Sequence, residues 1–159
     1  MSATSLPAFL DAFTAALQLR AGLAGVNIYG CPVAPEDLGA AGIELADEVA
    51  VATERVAMSS DDMEETYTVE GSITVLHPYH PAAGRVAGIN AAAKAARDAC
   101  EAIMHEVAGA LADDATAGGS VDDAALVSQT YSQGMAPEAQ MGRLCWCRFS
   151  IEVQNHLTP

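Results

Sequence analysis

The sequence predicts an α+β fold: a single domain, residues 1–159, in which a mostly antiparallel sheet packs against one long and one shorter helix. Three observations predict it. Two stretches, Thr66–Val75 and Leu144–Val153, alternate apolar and polar residues with a period of two, which marks strands with one dry and one wet face. Two others carry apolar residues at three- and four-residue spacings, as helices lying on a core do. Strands also come in runs joined by short turns, whereas a doubly wound parallel sheet would alternate strands with helices.

The first helix is expected from Leu6 to Leu19, with Ser5 as N-cap and Pro7 in the first turn, where its missing N–H costs nothing. Leu6, Phe9, Leu10, Phe13 and Leu17 form its apolar stripe. Val26–Tyr29 reads as a short strand, Val33–Gly42 as a loop, Ile43–Leu45 as a short strand and Glu48–Met58 as a longer one. Ser59–Glu65, with Asp61, Asp62, Glu64 and Glu65, reads as a solvated acidic hairpin loop. In the strand that follows, Tyr67, Val69, Gly71, Ile73 and Val75 take the dry face, and His77-Pro78-Tyr79-His80-Pro81 ends it.

A long helix is expected from Arg85 to Ala112, with Val86, Ile89, Ala93, Ala96, Cys100, Ile103, Val107 and Leu111 as its stripe. Ala125–Tyr131 is expected as a strand, and Ser132–Gly142 as a polar loop. The last strand, to Val153, turns Cys145, Cys147, Phe149, Ile151 and Val153 to the core and Leu144, Trp146, Arg148 and Ser150 the other way. A short loose tail, 154–159, is expected to close the chain.

Composition excludes more than it proposes. Of the hydrophobic residues, which make up 51% of the 159, 33 are Ala, so the core is modest. No run nears the roughly 20 apolar residues of a membrane helix. The first five residues lack the charged and apolar regions of a signal peptide, so a soluble cytosolic product is expected. Seven basic against 21 acidic side chains leave a net charge of −14. That balance cannot neutralise many phosphates, which disfavours a nucleic-acid binder, and it disfavours an anionic membrane surface equally.

Candidate chemistry is sparse. Cys145 and Cys147 share a strand face, but zinc sites draw on Cys-x₂₋₄-Cys pairs and four ligands, so these thiols read as core residues. Cys31 and Cys100 read the same way. His77 and His80 flank Tyr79 between prolines, with no carboxylate or thiol near in sequence, and read as a rigid turn. The acidic run lacks the spacing of a calcium loop, Gly118-Gly119-Ser120 lacks the Lys of a phosphate loop, and no Gly-x-Ser-x-Gly elbow is present. No catalytic residue, cofactor or metal site is expected. Trp146 points away from the core, under a loop or into a subunit interface, where tryptophan is enriched.

The order of elements resembles a known family. A Leu-Pro-Ala-Phe-Leu-Asp-Ala-Phe helix (Leu6–Phe13) precedes Val-Asn-Ile-Tyr-Gly (Val26–Gly30) and Thr-Tyr-Thr-Val-Glu-Gly-Ser-Ile-Thr-Val (Thr66–Val75). An Ala/Arg-rich helix (Ala91–Glu106), Gly118-Gly119 and a closing Cys-Arg-Phe-Ser-Ile-Glu-Val (Cys147–Val153) follow. This pattern, over nearly the whole chain, resembles the tail terminator (tail-completion, minor tail) proteins of long-tailed bacteriophages. The resemblance implies a virion protein, not an enzyme, made in the host cytoplasm and residing in the neck of the phage tail. Its partners would be further copies in a hexameric ring, the tail-tube protein below and the head–tail connector above, with genomic DNA passing through unbound. Asp61, Asp62, Glu64, Glu65, Trp146 and Arg148 are then the interface or lumen candidates. Another virion ring, either a connector or a tail-tube subunit, is the alternative, and a small ligand-binding or enzyme domain is a further one.

Overall fold

The computed structural model describes residues 4–45, 49–55, 63–78, 84–136 and 142–157. The two alternating stretches become the longest strands, β4 (Met63–Pro78) and β6 (Gly142–Leu157). They pair antiparallel without a register break, from Met63 opposite Leu157 to Pro78 opposite Gly142. Sixteen residues at about 3.3 Å each make this ribbon roughly 50 Å long. Around it lie β1 (Asn27–Tyr29), β2 (Ala41–Leu45), β3 (Val51–Arg55) and β5 (Asp123–Met135). The sheet order is β1-β2-β4-β6-β5, and β3 pairs with the N-terminal half of β4 while β2 pairs with its C-terminal half. Only the β1–β2 pair is parallel. The fold is therefore the α+β sandwich expected, with a mostly antiparallel sheet.

Helices α1 (Leu6–Gln18) and α2 (Arg85–Asp113) lie on one face of this sheet. Phe9, Phe13 and Leu17 recur every four residues, so one face of α1 enters the core. Phe9 stacks on Phe13 with centroids 5.6 Å apart and meets the edge of Tyr67 at 6.3 Å. Tyr67, Val69, Ile73, Val75 and the five inward residues of β6 complete the layer, all buried. Arg20, just after α1, holds α2 by donating to Glu106 (2.6 Å) and Asp113 (2.9 Å).

Four sequence expectations are corrected. The stripe of α2 begins at Gly88, Ala92 and Ala96, while Val86 is 75% exposed. Small side chains let the helix approach the sheet, and the bulkier Val86 stands clear. Residues 132–135, expected as loop, continue β5, because backbone pairing with Arg143–Trp146 holds a segment with no apolar alternation to announce it. His77 and Pro78, expected to close the strand from beyond it, are the last two residues of β4 itself, at the terminus where a missing N–H is tolerated. Gln154–Leu157 is strand, not loose tail, since it pairs with Met63–Thr66. Of the strand expected over 48–58, Val51–Arg55 is seen, and residues 48 and 56–58 lie outside the described residues.

Candidate functional site

The face of the sheet opposite the helices is the distinctive surface. Register places Thr66, Thr68, Glu70, Ser72 and Thr74 of β4 beside Gln154, Glu152, Ser150, Arg148 and Trp146 of β6 on it. Glu44 of β2, opposite Ser72, and Glu64 of β4 share that face. Neither α1 nor α2 covers it, since both pack on the other side, and among the described residues the segment 32–38 lies over its β2 end, with Leu38 against Gly42.

Its polar groups are cross-linked. Ser72 Oγ donates to Glu44 Oε1 at 3.1 Å, and the Val33 amide donates to Oε2 of the same carboxylate at 3.2 Å. Ser150 Oγ donates to Glu70 at 2.9 Å and accepts from Ser128 Oγ at 2.9 Å. These bonds run across β2, β4, β6 and β5 and hold Glu44 and Glu70 in place, while Glu64 and Glu152 are also on strands and not on a loop. Arg148 is exposed beside Ser72 and Thr130, and with Glu44, Glu70 and Pro32 it lines a depression of about 370 Å³. The charge balance of the face is negative: Glu44, Glu64, Glu70 and Glu152 against Arg148. Alternation along the two long strands predicts Glu64, Glu70, Glu152 and Arg148 on this face, while Glu44 reaches it from β2.

Trp146 is half-buried on this face and its indole lies over Gly134 of β5. A Cβ at Gly134 would sit 2.9 Å from the ring, so glycine there is what lets the indole lie against the sheet.

The acidic cluster expected at 61–65 divides. Asp61 and Asp62 lie outside the described residues. Glu64 is in β4, opposite His156 and Glu54. Glu65 is also in β4 but turns to the helix side, where it is 1% exposed, and so it belongs neither to a solvated loop nor to a lumen surface. One of its oxygens accepts from the Ser5 amide at 2.9 Å and from Ser5 Oγ at 2.6 Å, and Tyr67 Oη lies 3.1 Å from the same hydroxyl. Ser5 precedes α1 without bonding a helix amide through its side chain. The carboxylate of Glu65 instead supplies the negative charge at the helix start, where the macrodipole favours it. Burial pushes the carboxyl pKa up, but hydrogen bonds from Ser5, Thr4 and Asn155 outweigh burial, and the pKa ends below its ordinary value.

Cys100, Cys145 and Cys147 are buried between α2 and the sheet, as core thiols should be. Burial pushes all three pKa values up, which leaves them protonated and inert. Cys31, expected to be buried, is exposed in the turn after β1. His77 is exposed, its Nδ1 2.9 Å from the Pro78 carbonyl, while His80 lies outside the described residues.

The fold and this face together define a class: a two-layer α+β sandwich with helices on one side and an acidic, hydrogen-bonded sheet on the other. No protein-family model matches the chain, and no curated protein matches it. Among the described residues no helix is long and apolar enough to cross a membrane.

Proposed function

We propose that this protein is a structural component of a phage virion, a ring that caps the head-proximal end of the tail tube, ends tube polymerisation and joins the tail to the head connector. The observation that carries this reading is the acidic sheet face, which neither α-helix covers and which is open along β4 and β6. In a closed ring of such sandwiches with that face turned inward, the helices form the outer wall and Glu64, Glu70 and Glu152 look into the channel. Carboxylates arrayed along strands repel phosphates, so DNA slides through without sticking. Six copies carry 6 × −14 = −84 charges, which strengthens that repulsion. The order of elements along the chain supports the same reading through its resemblance to tail terminators. Tail-tube protein and connector are the partners on this reading, and no cofactor or catalysis is required.

Light scattering with negative-stain images of the same fraction tests it. A closed ring near 6 × 16.4 = 98.4 kDa, which shortens tubes when added to polymerising tail-tube protein, is the expected result. Open tubes formed by this chain alone would make it a tube subunit instead. Within a virion, Glu70→Lys with Glu152→Lys should slow DNA ejection, and unchanged ejection would remove this face from the channel.

A further inference from the structure

The two ends of the sheet differ in a way that bears on how copies meet. At one end β5 has β6 as its only strand partner among the described residues, which leaves one side of a 13-residue strand unpaired. Natural edge strands are shielded by lysines, prolines, inward charges or short length. β5 has none of these, only a bulge at Val127 between the Leu126 and Ser128 pairings. Its sole charged residue is Asp123, and it exposes Val127 (53%), Tyr131 (41%) and Met135 (74%).

At the other end the sheet is stepped. β1 is three residues long, and its side chains are tied to the turn at 35–38: Asn27 Nδ2 donates to the Leu38 carbonyl at 3.2 Å and Tyr29 Oη to the Asp37 carbonyl at 2.9 Å. β3 is the freer edge. It pairs only with β4 among the described residues, and Val51–Glu54 are exposed.

We propose that the β5 edge of one copy pairs antiparallel with the β3 edge of the next, so that the sheet continues from subunit to subunit. Charge identifies the occupant as a second copy. A chain of net charge −14 repels its own kind over most of its surface, whereas β5 carries one charge and the exposed stretch Val51–Glu54 of β3 carries only Glu54. These two edges are where copies approach with the least repulsion. Direction agrees. β3 runs antiparallel to β4, β4 to β6 and β6 to β5, so a copy placed head to tail in the same orientation offers β3 antiparallel to β5, the more stable ladder. The contact is heterologous, the type that closes into a ring. This inference rests on the ring reading for head-to-tail order and adds to it the surfaces that meet.

The test separates the two. Wild type should sediment and scatter as the 98.4 kDa ring, 6 × 16.4. Val127→Glu with Gln129→Glu places two charges on an exposed stretch of the β5 edge, and should convert the ring to the 16.4 kDa monomer without lowering the melting temperature. Leu19→Glu with Gln18→Glu adds the same charge at exposed positions at the end of α1, which packs against α2 and β1, and should leave the ring intact. In a Cys31→Ser background, Gln129→Cys should form a disulfide on mild oxidation with one of Ala52→Cys, Thr53→Cys or Glu54→Cys on a neighbouring copy. A wild-type ring that survives the β5 charges would overturn the edge pairing and leave the ring reading standing. A disulfide between two Gln129→Cys chains, giving a two-fold dimer, would overturn head-to-tail pairing. A wild type that stays monomeric at every concentration would overturn the pairing, and the ring reading would then be judged by tube capping alone.

Discussion

Replacing Glu65 by Gln tests the way the helix layer is fastened to the sheet. The carboxylate accepts two hydrogen bonds from Ser5, at 2.9 and 2.6 Å, at the positive end of α1 and out of contact with water. Hydrogen bonds to a charged group contribute about 1.5–3 kcal/mol each, against about 1 kcal/mol for neutral ones. A charge at a partly buried helix terminus adds up to about 2 kcal/mol. Gln keeps the shape and one acceptor but removes the charge, so the loss is about 2 kcal/mol. For a chain of this size that lowers the melting temperature by roughly 4–8 °C. Glu65→Ala, which also leaves the Ser5 donors unpaired, should cost more, and Tyr67→Phe, which removes only the neighbouring hydroxyl, should cost less.

The assay is thermal unfolding followed by circular dichroism over a pH series. Because the folded pKa lies below the ordinary value of 4.5, the ionised group stabilises the fold fully above that value. The contribution disappears as pH falls through the folded pKa. The gap between wild type and Glu65→Gln should therefore be constant from neutral pH to about 5.5 and close below the ordinary carboxylate range. A Gln variant as stable as wild type, or a gap that ignores pH, would refute the assignment of the helix-capping charge to Glu65.

Two further outcomes follow from packing. Gly71→Ala would drive a methyl into the ring of Phe149, which is buried and paired across from it, and should cost about 1–3 kcal/mol in urea unfolding, with Phe149→Leu recovering part of the loss. A thiol reagent added to native protein should modify Cys31 at once and reach Cys100, Cys145 and Cys147 only at the rate of unfolding. Rapid reaction of more than one thiol would contradict the buried placement of the other three.

How much of this was legible in the sequence depended on whether a signal was periodic. Tyr67–Val75 and Cys145–Val153 alternate cleanly, and every inward residue named from that pattern is buried or, at Gly71, packed under Phe149. β5 gave no such signal, because Ser128–Gly134 is uncharged and mostly polar on both faces, as an edge strand with little to bury is free to be. In α2 Ala96, Cys100, Ile103, Val107 and Leu111 are buried as their spacing indicates, and only the first turns differ, where Gly88 and Ala92 are buried in place of Val86, Ile89 and Ala93. Glu65 was misplaced by composition. Four acids within five residues suggest a loop, yet the parity that puts Tyr67 and Val69 inside puts Glu65 inside as well. Continuing the period of two by one step would have located it. Its partner, Ser5, lies 60 residues away, and nothing local reveals that contact.

Glu65 also joins the fold to the proposed assembly. It stands opposite Thr53, at the centre of the β3–β4 pairing, so the bonds that hold the start of α1 also back the strand that would meet a neighbouring copy. Glu65→Gln should then weaken the ring at temperatures where the domain is still folded, because a loosened β4 presents β3 less rigidly and the ordering cost falls on assembly. Gly71→Ala is the comparison that isolates this effect. It destabilises by a similar amount, but Gly71 pairs with Leu45 and Phe149, away from β3. If Glu65→Gln raises the concentration at which rings dissociate and Gly71→Ala does not, the helix clamp supports the edge directly. Equal weakening by both would mean that the ring responds only to overall stability, and the clamp would have no special part in assembly.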